Sequence, residues 1–156
     1  MNARNTTSLK SFLPGYSSYQ AIESRRNDDR MTRQWVVQRI DECKSQLDSL
    51  SLRAVSTGDF ETIMQIEGYH SDLDRARSRV AAAVEGYASW FDSRWVDQHL
   101  LKELGQQAES LVSVVDLIGT LIPQLPQTSQ QLVENIQLLH QRIDRRTLLL
   151  QQERPI

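Results

Sequence analysis

The sequence predicts an all-α fold: an antiparallel helical bundle of three to four long helices, coiled-coil-like, with a flexible N-terminal leader. Four stretches repeat apolar residues in alternating steps of three and four, which places each set on one face of a helix. The 156 residues include only four Pro and six Gly, and these lie mostly between the periodic stretches. We expect a single domain, because the apolar faces must pack against each other.

The N-terminal leader is polar, and we assign residues 1–27 to it, 28–152 to the bundle and 153–156 to a frayed tail. Pro14-Gly15 interrupts the leader, so no single helix is expected through it. It is either a flexible tail that folds back onto the bundle or a docking peptide for another protein. The absence of acids before Glu23 also fits an organelle transit peptide. The large apolar residues of the leader are Leu9, Phe12, Leu13, Tyr16, Tyr19 and Ile22.

The first helix is expected from near Asp28 to about Val55. In the following Ser56-Thr57-Gly58-Asp59 segment, Gly58 can end a helix in the left-handed conformation, and Asp59 can cap the next one. So short a link predicts an antiparallel hairpin. The apolar face of this helix consists of Val36, Ile40, Cys43, Leu47, Leu50 and Ala54.

The second helix is expected from Phe60 towards Phe91. We place a break at Asp92-Ser93, where a capping residue is available. One continuous helix with a shift of phase is the alternative, because no Gly or Pro forces a turn there. Trp90, Phe91 and Trp95 form either an end cap of the bundle or an exposed apolar corner. The face of this helix reads Ile63, Ile66, His70, Leu73, Arg77, Val80, Val84, Tyr87 and Phe91.

The third helix, expected from Arg94 to Ile122, carries the most regular pattern in the chain. Pro123 and Pro126 end it, because proline cannot continue a helix. Its apolar face consists of Leu101, Leu104, Ala108, Leu111, Val115, Ile118 and Ile122.

The fourth helix begins after Thr128, which together with Gln131 fits a capping box. Its last turns, Leu148 to Leu150, are apolar on more than one side. Its apolar face consists of Leu132, Ile136, Leu139, Ile143 and Leu150.

The sequence contains no nucleophile elbow, no phosphate-binding glycine loop and no paired-cysteine metal motif, so we expect neither an enzyme nor a bound cofactor. Glu67 and His70 have the Glu-x-x-His spacing of di-iron bundles. The residue three positions before His140 is Gln137, so the second copy of that motif is missing.

A metal or small-ligand site is the alternative to a purely structural bundle. Counted from the two turns, Cys43, His70 and His140 fall at about the same height in an up-down-up-down bundle. Cys with two His is a recognisable zinc set, although a fourth ligand is missing. In the competing interpretation Cys43 packs as a small hydrophobe and each histidine bonds a neighbouring polar group.

Two basic clusters, Arg75–Arg79 and Arg142–Arg146, stand beside Asp72, Asp74 and Asp144. Pairing within each helix on a solvated face is therefore expected. The net charge of −2 repels nucleic acid on average, so no nucleic-acid partner is expected.

Membrane insertion is not expected, because the chain lacks the run of about 18 uncharged apolar residues that a spanning helix needs. Surface binding to membranes is not expected either, since most of the amphipathic faces lack a cationic polar side. The single cysteine rules out an intramolecular disulfide framework. We expect a cytoplasmic location.

These observations predict a non-catalytic helical adaptor or structural subunit that acts through protein–protein contacts, in an oligomer or larger assembly. The partner is another protein or a second copy of the chain, since heptad-like faces also pair between chains. Surplus apolar residues in the leader, near residue 90 and at the end of the fourth helix are typical of contact surfaces. The candidate partner-binding residues are Leu9, Phe12, Leu13, Tyr16, Tyr19, Trp90, Phe91 and Trp95.

Overall fold

The computed structural model describes residues 16–83 and 98–151, which fold as helices packed against each other. No strand occurs in these two ranges, and the prediction of an all-α helical bundle is confirmed. The helices are α1 (Tyr16–Thr57), α2 (Phe60–Ala82), α3 (Gln98–Leu121) and α4 (Ser129–Gln151), with a 3-10 turn at Ile122–Gln124. None of the described helices is long and apolar enough to cross a membrane.

Helix α1 begins at Tyr16, directly after Pro14-Gly15 and well before the expected start near Asp28. The expected start marked where the apolar pattern begins, but a helix needs no apolar face to continue. Residues 16–27 contain neither Pro nor Gly, so nothing in them breaks the helix. The expected flexible leader, residues 1–27, therefore overlaps α1 from Tyr16 onwards. Its remaining part, residues 1–15, lies outside the described residues.

The α1–α2 link has the predicted turn chemistry. Gly58 has φ +69°, a left-handed conformation that glycine adopts without steric cost. Its N–H donates to the carbonyl of Val55, and the N–H of Asp59 donates to that of Ala54. The Asp59 carboxylate accepts from the Thr62 N–H at 3.1 Å and from its hydroxyl at 2.6 Å. The predicted hairpin is therefore present.

The four helices occupy the corners of a bundle in which α1 and α4 both pack against α2 and α3. Helices α1 and α3 run parallel, because Asp28–Thr32 of α1 lie beside Leu104–Ser113 of α3, and further along both helices Arg39 contacts Asp116. The order is therefore up-down-up-down, and α1 and α4 stand on a diagonal. We call the end that carries the Gly58 link and the Ile122–Thr128 turn the turn end.

The apolar face of α2 is rotated by about one residue from the predicted one. Tyr69 packs against the core and Ala76 is fully buried, whereas His70 and Arg77 lie at the edge of the face. Both edge residues face acids on α1: His70 lies beside Asp48, and Arg77 pairs with Asp41. The prediction that His70 and Arg77 belong to the apolar face of α2 was wrong, because their polar partners lie on α1. The buried residues of α2 are Ile66, Leu73, Ala76 and Val80.

The expected faces of α1, α3 and α4 form most of the core. In α4 the pattern departs near its end, where Leu149 is buried and Leu150 is only partly buried. Arg146 occupies the core-facing position one turn after Ile143. At the start of α4, the Thr128 hydroxyl donates to the Leu121 carbonyl at 2.7 Å, so this side chain ties the turn to the end of α3.

Helices α2 and α3 are separate, since α2 ends at Ala82 and the backbone N–H of Ala83 caps it by donating to Val80. The next described helix begins at Gln98 and packs on α1 and α4. Helix α2 therefore ends well before Phe91, towards which it was expected to run. Residues 84–97, which include the predicted break at Asp92-Ser93, lie outside the described residues, and so does the predicted C-terminal tail, residues 153–156.

Candidate functional site

The structure does not test the partner-binding residues that the sequence nominated. Tyr16 and Tyr19 lie in the first turns of α1, but the positions of their side chains are not among those described. These assignments therefore stay predictions. The nominated residues outside the described ranges are Leu9, Phe12, Leu13, Trp90, Phe91 and Trp95.

The three residues of the alternative metal site are held apart by other contacts. His70 of α2 faces α1, with its Nε2 3.4 Å from a carboxylate oxygen of Asp48. His140 of α4 faces the opposite side of α2, with its Nε2 3.1 Å from the Asp72 carbonyl oxygen. Among the described residues, no group of three or more His, Cys, Asp or Glu side chains could hold a metal ion. The height estimate from the turns did not account for the direction in which each ring points.

Both ring nitrogens of His140 have partners. A carbonyl oxygen only accepts, so Nε2 donates to Asp72. The guanidinium of Arg79 only donates, so Nδ1, at 3.3 Å from Arg79 Nη1, accepts. These two contacts assign the neutral Nε2–H tautomer to His140. A metal ion could take either nitrogen only by displacing an existing bond.

Cys43 is fully buried in the core of α1. Burial among apolar side chains raises the pKa of its thiol to about 11, and the positive charge of Arg39 offsets this rise only in part. The thiolate is the form that attacks electrophiles and binds metals. Cys43 is therefore a packing residue at neutral pH.

The basic clusters are paired mainly between helices, and only partly as the sequence predicted. Arg75 pairs with Asp72 of its own helix, as expected. Arg77 instead pairs with Asp41 of α1, which raises the pKa of the guanidinium. Arg79 pairs with Asp144 of α4. The prediction of intrahelical pairing is wrong for Arg77 and Arg79, and also for Arg146, which pairs with Asp29 of α1. Acids on other helices lie within reach of these long side chains.

Four of the nine exposed large apolar side chains among the described residues lie near the turn end. Phe60 and Met64 are each 76% exposed and stand one turn apart on α2. On α1, Leu52 and Val55 are also exposed and stand one turn apart. The pairing of His70 with Asp48 sets the antiparallel register, which places Val55 beside the start of α2. We call Leu52, Val55, Phe60 and Met64 the tip patch.

A pocket of about 260 Å³ opens at the same end of the bundle. The pocket exists because α3 ends earlier along the bundle axis than α1. Asp116, near the end of α3, lies beside Arg39, and from Arg39 α1 continues for about five more turns to Thr57. Beyond the end of α3, the thinner Ile122–Thr128 turn covers this side of the α1–α2 hairpin. The apolar walls of this turn-end pocket are Leu50, Ala54, Ile66, Tyr69, Leu125 and Pro126.

The rim of the turn-end pocket is polar. It includes Arg53 and Asp59, together with hydroxyl and amide side chains. The Asp59 carboxylate caps α2, and the hydrogen bonds from Thr62 lower its pKa. The rim residues are Arg53, Thr57, Asp59, Thr62, Gln65 and Ser129.

The turn end is acidic. Residues 48–69 and 122–134 contain five carboxylates and one arginine, all of them exposed. Clustered like charge raises the local concentration of oppositely charged partners. The charged residues are Asp48, Arg53, Asp59, Glu61, Glu67 and Glu134. Sequence analysis missed this site, because the acids and apolar residues come together only when both turns meet at one end.

The opposite half of the bundle carries a buried ion pair. Arg146 Nη2 of α4 donates to both carboxylate oxygens of Asp29 on α1, at 2.8 and 2.9 Å. Arg33 Nε donates to the same carboxylate at 3.1 Å, and its Nη1 donates to the Ala83 carbonyl at 2.8 Å. These contacts join α1, α4 and the end of α2, so we assign them a structural role.

In comparisons with known proteins, no family model, curated protein or solved structure matches the chain.

Proposed function

We propose that the protein is a non-catalytic helical adaptor or structural subunit, and that it works through protein contacts made at the turn end. The observation that carries this proposal is the tip patch, with Phe60 and Met64 both three-quarters exposed. The proposal includes a cytoplasmic location and membership of an oligomer or larger assembly.

The energetics of exposure support a contact surface at the tip patch. Burial of a large apolar side chain contributes roughly 1.5–3 kcal/mol relative to leaving it in water. Single exposed apolar residues are ordinary, but a group of them is typical of a contact site. Leu52, Val55, Phe60 and Met64 fall within 13 residues of sequence on two helices joined by the Gly58 link. A partner that covers them gains the free energy that the isolated chain leaves unused.

The size of the turn-end pocket favours a protein partner over a small molecule. Small-molecule sites usually measure roughly 300–1,000 Å³ and enclose most of the ligand, whereas this pocket measures about 260 Å³ and is open on one side. A pocket of this size suits one or two anchoring side chains of a partner. The acidic surroundings favour a basic partner and repel nucleic acid.

Site-specific photo-cross-linking tests the proposal. A photoreactive phenylalanine replaces Met64 in the tip patch and, in a matched control, Glu109, which is exposed on α3 away from the turn end. Irradiation of cells that express the chain should give discrete protein adducts from position 64 and none from position 109. Equal labelling from both positions, or no adduct from position 64, contradicts the proposal.

A further inference from the structure

We propose that the turn-end pocket of one copy receives the N-terminal segment, residues 1–15, of a second copy, so that copies associate end to end. This inference rests on the proposed function, because it names the partner for the same end of the bundle, although the turn-end pocket and the tip patch share no residue. Three independent considerations lead to it: the reach of the segment, its apolar anchors and its charge.

The reach of the chain excludes the pocket of the same copy. Tyr16 and Ala54 lie about 57 Å apart along α1, at ~1.5 Å of rise per residue. Phe12 precedes Tyr16 by four residues, and four extended residues span at most ~14 Å. Phe12 therefore cannot enter the pocket beside Ala54 of its own chain. A second copy is the nearest source of the same segment.

The segment contains apolar residues of the kind that such a pocket accepts, one or two of them at a time. Leu9, Phe12 and Leu13 are the large apolar residues between Met1 and Pro14. The pocket of about 260 Å³ has an apolar wall and a polar rim, which is the arrangement that accepts an anchoring side chain from an extended peptide. In the sequence, Pro14-Gly15 separates these anchors from the start of α1.

The charges of the two surfaces are complementary. Residues 1–15 carry Arg4 and Lys10 and no acid. The turn end carries five exposed carboxylates and one arginine. Opposite charges at the rim accelerate association and fix orientation, and salt screens this attraction. Attraction between the segment and the turn end is therefore expected at low ionic strength.

End-to-end contact has a predictable consequence for assembly. The segment leaves the bundle at one end and the pocket lies at the other, so the contact joins two different surfaces. Such a heterologous contact forms rings or open filaments instead of a closed dimer. The average mass of the assembly should therefore rise with concentration, to a plateau if a ring closes and without a plateau if a filament forms, and it should fall when salt is added.

A peptide titration tests the inference. The probe is a fluorescently labelled, N-acetylated peptide of residues 1–15, and the receptor is the full chain with Leu9→Ser, Phe12→Ser and Leu13→Ser, which leaves its own pocket open. Fluorescence anisotropy should show saturable binding that weakens with salt. The same peptide with Phe12→Ser and Leu13→Ser should bind at least about tenfold more weakly, because two apolar anchors are lost.

Charge variants of the receptor give changes of opposite sign. Glu61→Lys should weaken peptide binding about threefold and Arg53→Glu should strengthen it by a similar factor, as expected for charges ~10 Å apart near a surface. Glu109→Lys on α3 is the matched control and should have no effect. Ala54→Phe should abolish binding by filling the pocket. Circular dichroism verifies that this variant folds, and the two charge variants decide the question if it does not.

The outcomes separate the inference from the proposed function. If the peptide does not bind while the full chain still forms adducts through the tip patch, the partner is a different protein and only the inference fails. If binding is equal for the native and the substituted peptide, the pocket does not select the anchors and the inference also fails. If neither peptide binding nor tip-patch adducts occur, both proposals fail.

Discussion

Asp29 and Arg146 lie 117 positions apart in the sequence and 2.8 Å apart in the bundle, with only 10% and 8% of their side chains exposed. Their helices, α1 and α4, stand on a diagonal, so the pair spans the interior at the end opposite the two turns. A buried ion pair fixes register more than it adds stability, because desolvation offsets much of the attraction. This pair therefore specifies how the two hairpins of the bundle dock.

Removal of one member of this pair should be costly. Asp29→Asn leaves Arg146 and Arg33 without their shared carboxylate and should lower the free energy of unfolding by about 3 kcal/mol. Arg146→Met should cost less, because Asp29 keeps Arg33. Urea denaturation of the two variants and of the double variant gives the coupling between them.

The loss of stability in the double variant should be smaller than the sum of the two single losses by more than about 1 kcal/mol. In the double variant, neither Asp29 nor Arg146 remains as a buried charge without the other. Arg75→Met is the matched control. Its pair with Asp72 is exposed, so its loss should change stability by less than about 0.5 kcal/mol. Strict additivity of the two buried substitutions would show that the pair is not coupled.

Two glycines should respond to alanine in opposite directions. Gly58 has φ +69°, which a side chain strains, so Gly58→Ala should destabilise the chain by about 1 kcal/mol. Gly68 lies within α2 with open space around an added Cβ, so Gly68→Ala should stabilise it by about 0.5–1 kcal/mol. Thermal melts of both variants are the measurement. A gain from Gly58→Ala would place the end of α1 elsewhere.

Cys43 should resist thiol reagents in the folded protein. Its burial and its pKa of about 11 leave almost no accessible thiolate at pH 8, so labelling should follow unfolding only. Because the pKa of the Cys43 thiol is higher in the folded than in the unfolded chain, the thiol contributes to the free energy of unfolding below the unfolded pKa. This contribution is lost as pH rises from about 9 to 11. Cys43→Ala should remove this alkaline component. Rapid labelling without denaturant would mean that the core opens around Cys43.

Asp59 should contribute to stability in a pH-dependent way. The hydrogen bonds from Thr62 lower the pKa of the Asp59 carboxyl, so its contribution is present above the unfolded value of about 4 and is lost as pH falls through the folded value. Asp59→Asn keeps a capping oxygen without the charge. It should therefore reduce the dependence of the free energy of unfolding on pH in the acid range. Asp59→Ala should weaken α2 at neutral pH as well. Denaturation at pH 3 and pH 7 compares the three chains.

The periodic pattern was sufficient to predict the helices and most of the core. The steps of three and four in α3 correspond to buried Leu111, Val115 and Ile118, because a regular pattern of large apolar residues has one consistent helical solution. In α2 the same method selected His70 and Arg77 where Tyr69 and Ala76 pack. Alanine gives a weak apolar signal, and the acids that hold the polar residues at the edge belong to α1.

Features that join distant parts of the chain could not be predicted. Arg146 belonged to a basic cluster that the sequence assigned to solvent, and its acidic partner lies in a different helix. The turn-end pocket exists because α3 ends before α1 does along the bundle axis. No local sequence pattern predicts this difference in length. Counting from the turns placed the three proposed metal ligands at one height, but the direction of each histidine ring is set by its own polar contacts.

Sedimentation equilibrium over a wide concentration range tests most directly whether the bundle associates through its turn end. The average mass of the native chain should rise with concentration above that of one chain. Phe60→Ser with Met64→Ser should shift it back towards a single chain. The control Met31→Ser with Trp35→Ser, also exposed apolar residues one turn apart but away from the turn end, should leave it unchanged. A single-chain mass for the native protein at every concentration contradicts self-association through the turn end, and an equal loss in both variants contradicts a role of the tip patch in it.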